Sequence, residues 1–282
     1  MFQIYFKHMK KVNFIPFCFA IILLFSVNTF AQKTYIAING GYNFEANTTT
    51  NYSFNYNPYN SSANKVEVSL GKGFNFDGAI GYKFNKIIGA EIGVSYLKGE
   101  TTTWNFSLYT SGVGIYHISR NYSSTMLRFI PTIVFSGDFK TINPYAKIGA
   151  IIGSGSYLIS QTTTSDAANS STTFQKTKYD GGLAFGVYCG LGATYKINKH
   201  VFILGEITST NLSYAAEKSE LIVSTVDGVD MLPGLSVYDK QTEYVDSYNI
   251  GNTIDPNKPS KGLKQNISFS SIGFNIGARY SF

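Results

Sequence analysis

The sequence predicts an all-β chain that closes into an antiparallel transmembrane barrel of eight strands behind a cleaved signal peptide. Three observations predict it. Charged residues make up only 14% of the 282, whereas aromatic residues reach 16%. Stretches of period-two alternation recur along the chain, and no charge falls on their apolar faces. The joins between these stretches alternate strictly between short and long. Ordinary soluble domains carry about 25% charged residues. The composition excludes a coiled coil, a disordered chain and a disulfide scaffold. It also argues against a nucleic-acid partner, which would need Lys and Arg gathered on one face.

Residues 1–31 read as the signal peptide. Lys7, Lys10 and Lys11 give a basic start, and Ile15 to Val27 form an apolar run. Thr29-Phe30-Ala31 supplies small residues at the cleavage positions and makes Gln32 the expected mature N-terminus. Met9-Lys10-Lys11 is the more usual opening, so Met9 is an alternative initiator. The run is shorter than the about 20 residues of a transmembrane helix. An uncleaved anchor is the rival reading, and the lack of a Cys after the run argues against a lipoprotein. The remaining 32–282 form the expected barrel domain. Cleavage removes three Lys and no acid, so 23 Lys+Arg fall to 20 against 17 Asp+Glu. Cys18 leaves as well, so Cys189 has no partner within the chain and reads as a small hydrophobe.

Eight segments follow: Thr34–Phe44, Gly73–Phe84, Ile87–Leu97, Ser124–Phe135, Pro144–Tyr157, Gly181–Ile197, His200–Leu212 and Asn266–Phe282. Each is long enough to cross a bilayer as a tilted strand, which takes about 9–11 residues. In the second, Phe74, Phe76, Ile80, Tyr82 and Phe84 share one face, and Asn75, Asp77, Gly81 and Lys83 the other. In the third, Ile88, Ile92, Val94 and Tyr96 oppose Gly89, Glu91, Gly93 and Ser95. The sixth and last segments repeat the pattern with Val187 and Leu191 against Gly190 and Gly192, and Phe274 and Ile276 against Asn275 and Gly277. A charge facing lipid at mid-bilayer costs roughly 2–4 kcal/mol, so apolar-out and polar-in marks a membrane barrel. Pro131 conflicts with a closed ladder because it lacks a donor, and a bulge or local break is expected there.

Asn85-Lys86, Gly137–Asn143 and Asn198-Lys199 are the short joins, and 45–72, 98–123, 158–180 and 213–265 the long ones. Tight periplasmic turns and long external loops have this asymmetry. The longest join is apolar enough, through Leu221-Ile222-Val223 and Met231–Leu235, to cap the barrel mouth or to add a hairpin, which would make ten strands. Asn51–Tyr56 and Thr103–Leu108 keep alternating beyond the membrane and suggest projecting hairpins, whose edges suit an extracellular ligand. Aromatic girdles are expected from Tyr82, Phe84, Phe135, Tyr145, Tyr195, Tyr280 and Phe282 at one interface, and from Tyr42, Phe44, Phe74, Tyr96 and Tyr157 at the other.

At this point the chain resembles a family. Tyr280-Ser281-Phe282, after alternating apolar residues, looks like the C-terminal signature of outer-membrane β-barrel proteins. Asn143-Pro144-Tyr145-Ala146-Lys147-Ile148-Gly149-Ala150 resembles a strand of small Bacteroidetes-type outer-membrane barrels, and Phe129-Ile130-Pro131 is similar to that group. Gly190-Leu191-Gly192-Ala193-Thr194-Tyr195, with its tight turn and the Glu206 strand, looks like two adjoining strands of OmpA/OmpX-like porin-family barrels. The resemblance implies an integral protein of a Gram-negative outer membrane. It also implies that the barrel-assembly machinery reads Tyr280 and Phe282 as the insertion signal.

Seven charges fall on the inner face: Asp77, Lys83, Glu91, Arg128, Lys147, Glu206 and Arg279. An eight-stranded barrel is just wide enough for side chains to fill it. Buried charges must pair, so a network is expected with Glu91 and Glu206 near Arg128, Lys147 and Arg279. The rival is a narrow ion path. Lys72, Lys98, Arg120, Lys178 and Lys264 lie near the outer rim, where lipopolysaccharide phosphates would meet them. His117 and His200 are the mature histidines, and no spacing suits a metal or a cofactor. A lipid A-modifying barrel would need Ser, His and an acid near the outer interface, where only His117 falls, with Ser119 and Ser123 nearby. The expectation is a non-catalytic, monomeric, porin-like or OmpX-like envelope protein with a largely plugged lumen. Its partners are outer-membrane lipid and lipopolysaccharide. The alternatives are an adhesin acting through its loops and the lipid A-modifying enzyme.

Overall fold

Alternation carried through a solvent of hydrocarbon gives strands rather than helices, and the computed structural model is almost wholly β. It describes residues 34–46, 48–55, 61–110, 114–166, 170–249 and 254–282. The expected signal peptide lies outside them, as do Tyr56 and the side chains of Asn51 to Asn55.

Eight strands form the ring: β1 (Thr34–Glu45), β2 (Gly73–Lys83), β3 (Ile88–Gly99), β4 (Gly114–Ser136), β5 (Ile142–Ser165), β6 (Ala184–Lys196), β7 (Val201–Ala215) and β8 (Ser271–Ser281). Each pairs antiparallel with the next. β1 closes the ring on β8, from Tyr35 opposite Ser281 to Glu45 opposite Ser271. Closure leaves no edge inside the membrane, where an unpaired backbone group would have no water to meet. The outward residues are apolar and exposed, Ile276 at 71% and Leu191 at 66% being the extremes. Cys189 is among the exposed outward positions.

The three short turns share a device. Asn85 Oδ1 accepts from the backbone N–H groups of Ile87 and Ile88, and Asn198 Oδ1 from those of His200 and Val201. Asn143 Oδ1 accepts from Phe139 N–H. An Asn side chain replaces a backbone acceptor in such turns. At the sixth strand the sequence places the start at Gly181. Gly181 and Gly182 instead take φ of 81° and 75°, a left-handed turn, and the ladder begins at Ala184. Pro131 leaves a gap in pairing with β5 between Phe129–Ile152 and Thr132–Gly149, with the register unchanged. Its ladder to β3 is continuous. The missing donor thus breaks one side locally, without a bulge.

Two of the expected girdle residues face inward. Tyr145 and Tyr157 fall on the same parity as Lys147, and both are 5% exposed. Tyr42, Phe44 and Phe74 do form an edge-to-face cluster at the outer level, and Tyr280 and Phe282 at the other.

Beyond the membrane β4 and β5 simply continue, and 98–123 and 158–180 are largely strand rather than loop. Thr102–Thr110 pairs with the far part of β4. Thr172–Asp180 pairs with the far part of β5, and Lys218–Val226 pairs with it in turn. Gln241–Val245 joins that strand, and Ser260–Leu263 adds in parallel. Leu221-Ile222-Val223 therefore belongs to this external sheet, and Met231–Leu235 to the turns after it. Neither adds strands to the ring.

Packing inside the ring depends on missing side chains at chosen positions. A Cβ on Gly81 would lie 2.1 Å from the Tyr35 ring. We expect Gly81→Val to displace that ring and to destabilise the barrel by about 1–3 kcal/mol, as overpacking does. The gel-shift midpoint of the detergent-solubilised protein in urea measures it, and an unchanged midpoint would contradict the packing described.

Candidate functional site

The inner wall carries three levels of chemistry, set by which residues of each strand point to the axis. At the first, Lys147 of β5 lies between two carboxylates from distant strands. Its Nζ is 2.7 Å from Glu91 Oε1 on β3 and 3.0 Å from Glu206 Oε2 on β7. The second contact is one of charge, without hydrogen-bond geometry at that oxygen. The other oxygens are met by phenols: Tyr35 donates to Glu91 at 3.0 Å and Tyr188 to Glu206 at 2.6 Å. All three charged side chains are buried. A Cβ at Gly190 would press on the Glu206 carboxyl, so glycine gives that acid its room.

The remaining inner charges are placed differently from the expected pairing. Arg128 donates to Ser95 Oγ at 3.1 and 2.6 Å, not to either glutamate, and it shares its cavity with Asp77. Asn75 donates to Asp77 at 2.7 Å. The Arg279 guanidinium lies over the Tyr35 ring at 4.2 Å and the Tyr145 ring at 5.3 Å, a cation–π contact in place of an ion pair. Lys83 sits half-buried at the end of β2, apart from the Lys147 contacts. The cavity left among these side chains is only ≈ 30 Å³, room for a few water molecules.

The second level is apolar. Leu97, Met126, Ile151, Leu212 and Tyr214 point inward and meet Val68, Leu70 and Phe269 from the external segments. Phe269 enters where the last strand is interrupted, and Leu212 N–H there turns to Ser270 Oγ at 3.1 Å. Val68, Leu70 and Phe269 are buried, so this cluster fills the mouth.

The third level is a cavity of ≈ 620 Å³ on the inner side of the external sheet. Arg120 lines it, with its guanidinium 5.4 Å from the Trp104 ring and its Nε donating to Gln161 Oε1 at 2.6 Å. Arg120 was expected at the lipid rim. It belongs to the inner wall because even positions of β4 face inward and the external part keeps that parity. The other expected rim cations have carboxylate partners in three cases: Lys72 with Glu100, Lys178 with Asp180 and Lys264 with Glu217. Burial acts to raise the Asp180 carboxyl, but Lys178 and Lys218 hold it below the usual range. Lys98 is exposed at the outer end of β3.

His117 makes contacts that the sequence did not foretell. Its Nδ1 is 2.9 Å from Ser107 Oγ and its Nε2 is 3.0 Å from Asp166 Oδ2. Ser107 is buried, and none of the three residues lines either cavity described above. Ser119 and Ser123 are not its partners in these contacts. His200 is held at a short turn by the carbonyl of Ser281 at 2.8 Å. Among the described residues no group of three His, Cys, Asp or Glu has the arrangement of a metal site.

The family described as outer membrane protein beta-barrel domain matches residues 17–282. No curated protein matches the chain. Solved structures similar to it include Neisserial surface protein A, at 11% identity, TM-score 0.35 and coverage of 88% of this chain and 97% of that one. Acinetobacter baumannii CarO2 is similar at 13% identity and TM-score 0.32, covering 88% and 99%. Ail, the attachment invasion locus protein of Yersinia pestis, is similar at 12% identity and TM-score 0.28, covering 89% and 99%.

Removing Lys147 alone leaves two buried carboxylates facing each other. Breaking a buried pair costs about 3–5 kcal/mol, so Lys147→Met should lower the urea midpoint strongly. The triple variant that adds Glu91→Gln and Glu206→Gln should regain much of it. Equal loss in both variants would show that charge is not what this contact supplies.

Proposed function

The chain belongs to the outer membrane protein beta-barrel domain family and is integral to the outer membrane, and from that premise we propose that it is a non-catalytic envelope protein with a closed lumen whose work is done outside the membrane. One observation carries this reading. The axis is crossed by the Glu91–Lys147–Glu206 contacts and then by an apolar cluster, with ≈ 30 Å³ left at the charged level. The larger cavity, ≈ 620 Å³, opens beyond them in the external sheet. Loops and extensions on a rigid scaffold are where binding residues concentrate. In this reading the protein is OmpX-like rather than a diffusion porin, and it acts as a monomer. The motifs around Pro144 and Gly190 support a Bacteroidetes-type, OmpA/OmpX-like subtype. Tyr280 and Phe282 face outward on the last strand and are accessible to assembly machinery. Lys98 is the exposed cation best placed for lipopolysaccharide phosphate.

A second reading has one observation in its favour. Ser107, His117 and Asp166 are in line as a nucleophile, a base and an orienting acid would be. Catalysis would further need donors aimed at a developing oxyanion and a place for substrate beside Ser107. The buried serine and the solvent-facing histidine support a cross-strand hydrogen-bond chain that braces the hairpin.

Three measurements test the proposal. In planar bilayers the protein should give no steps above baseline, and regular conductance steps would overturn the closed lumen. A fluorophosphonate probe should not label the folded protein, and lipid A from cells carrying His117→Ala should be identical to that from cells carrying the wild type. Labelling that Ser107→Ala abolishes would establish the second reading instead.

A further inference from the structure

The external cavity has the chemistry of a binding site for a particular kind of molecule, and this inference rests on the external sheet being the working part of the protein. Its ≈ 620 Å³ lies within the roughly 300–1,000 Å³ of small-molecule sites. One wall is a row of flat rings: Tyr157 and Tyr179 stack at 4.5 Å and 6°, and Tyr179 and Tyr244 at 6.1 Å and 25°. Farther along the same sheet Trp104, Arg120, Gln161 and Gln175 stand side by side on successive strands and line it too. Gln161, Gln175 and Thr177 present neutral donors and acceptors. Among the described residues no acid lines the cavity, and Arg120 is its one charge. Burial, and then the neighbouring Tyr244, push the Tyr179 hydroxyl up, so that ring stays neutral at physiological pH.

Among the described residues Arg120 has no carboxylate partner: its Nε donates to Gln161 Oε1, and that amide's nitrogen donates to Thr163 Oγ1. An apolar occupant would leave the guanidinium without a counter-charge, at a desolvation cost. The lining calls for a molecule with C–H surface for the rings, oxygens for the neutral side chains and a negative group for Arg120. A sugar ring bearing a carboxylate has all three.

We propose that the cavity binds a short acidic saccharide, with sugar C–H groups along the Tyr157–Tyr179–Tyr244 row and the carboxylate at Arg120. The chain contains one tryptophan, so its emission reports on this wall alone. The experiment titrates the full barrel in detergent micelles with tetragalacturonate, sialyl-lactose and a hyaluronan tetrasaccharide, and with neutral maltotetraose as the comparison. At least one acidic probe should change the emission saturably and bind tenfold or more tightly than maltotetraose. Arg120→Gln should bring that probe down to the neutral level, and Tyr244→Ala, on a short external strand, should weaken it at least fivefold. Unchanged far-UV circular dichroism and gel shift check that each variant is folded. Three outcomes overturn the proposal: no saturable response to any acidic probe by fluorescence or calorimetry, maltotetraose binding as tightly as the acidic sugars, or affinity indifferent to Arg120→Gln. Should binding fail while the bilayers stay silent, only the ligand is wrong. Conductance steps would instead remove the closed-lumen reading itself.

Discussion

Hydrocarbon cannot hydrogen-bond a peptide group, and that single property dictates the rest of this molecule. Each N–H and C=O within the bilayer must find a partner in the protein, so the ladder has to close on itself. β1 achieves this by pairing on both sides, with β2 and with β8. A closed ladder with side-chain period two then has only two faces. Lipid claims one, and everything polar is driven to the other. Outward positions are consequently Ile, Leu, Val and Phe, while Glu91, Arg128, Lys147 and Glu206 are among the most buried residues of the chain.

Crowding charges into so narrow a space creates a second constraint. Their neutralisation must come from one another or from neutral dipoles. Here it comes by three routes: carboxylates on an ammonium, a guanidinium on a hydroxyl, and a guanidinium on ring faces. The apolar cluster above keeps the outer mouth filled. In such surroundings each of these contacts is stronger than it would be in water, and leaving any one unmade costs more. The plug and the ionic level therefore support each other, and together they leave little room along the axis.

This logic also explains which parts of the protein could be read from its sequence. The membrane strands were legible because lipid enforces alternation at every second residue, and observed bounds fall within a few residues of those expected for β1 to β3. The identity of the inner charges was legible for the same reason. Their partners were legible only in part: Lys147 does meet Glu91 and Glu206, whereas Arg128 turns to Ser95 and Arg279 to ring faces, because pairing depends on the stagger between strands separated by tens of residues. Gly181 was read as strand, although its left-handed φ belongs to a turn. Tyr145 and Tyr157 were assigned to girdles by their height along the strand, when their parity already placed them inside. The external sheet was the largest omission. In water nothing forbids polar residues on both faces, so Thr172–Asp180 and Lys218–Val226 show weak patterns and read as loop. The alternation of Gln175, Thr177 and Tyr179 and the apolar run Leu221-Ile222-Val223 were the signals available there.

Arg120 shows why parity outweighs position in this fold. Its height suggested contact with lipid headgroups, yet it stands six and eight residues before Met126 and Arg128 on one uninterrupted strand, always on the axial side. A strand that leaves the membrane without a break carries its inner face with it. The surface beyond the plug is thus a continuation of the lumen wall, built by the same alternation but freed from the need to be filled. In the bilayer that face had to be neutralised by the protein's own side chains. Outside it, the same face can leave a guanidinium without a counter-charge for another molecule to supply, which is why the binding chemistry gathers there and not at the axis below.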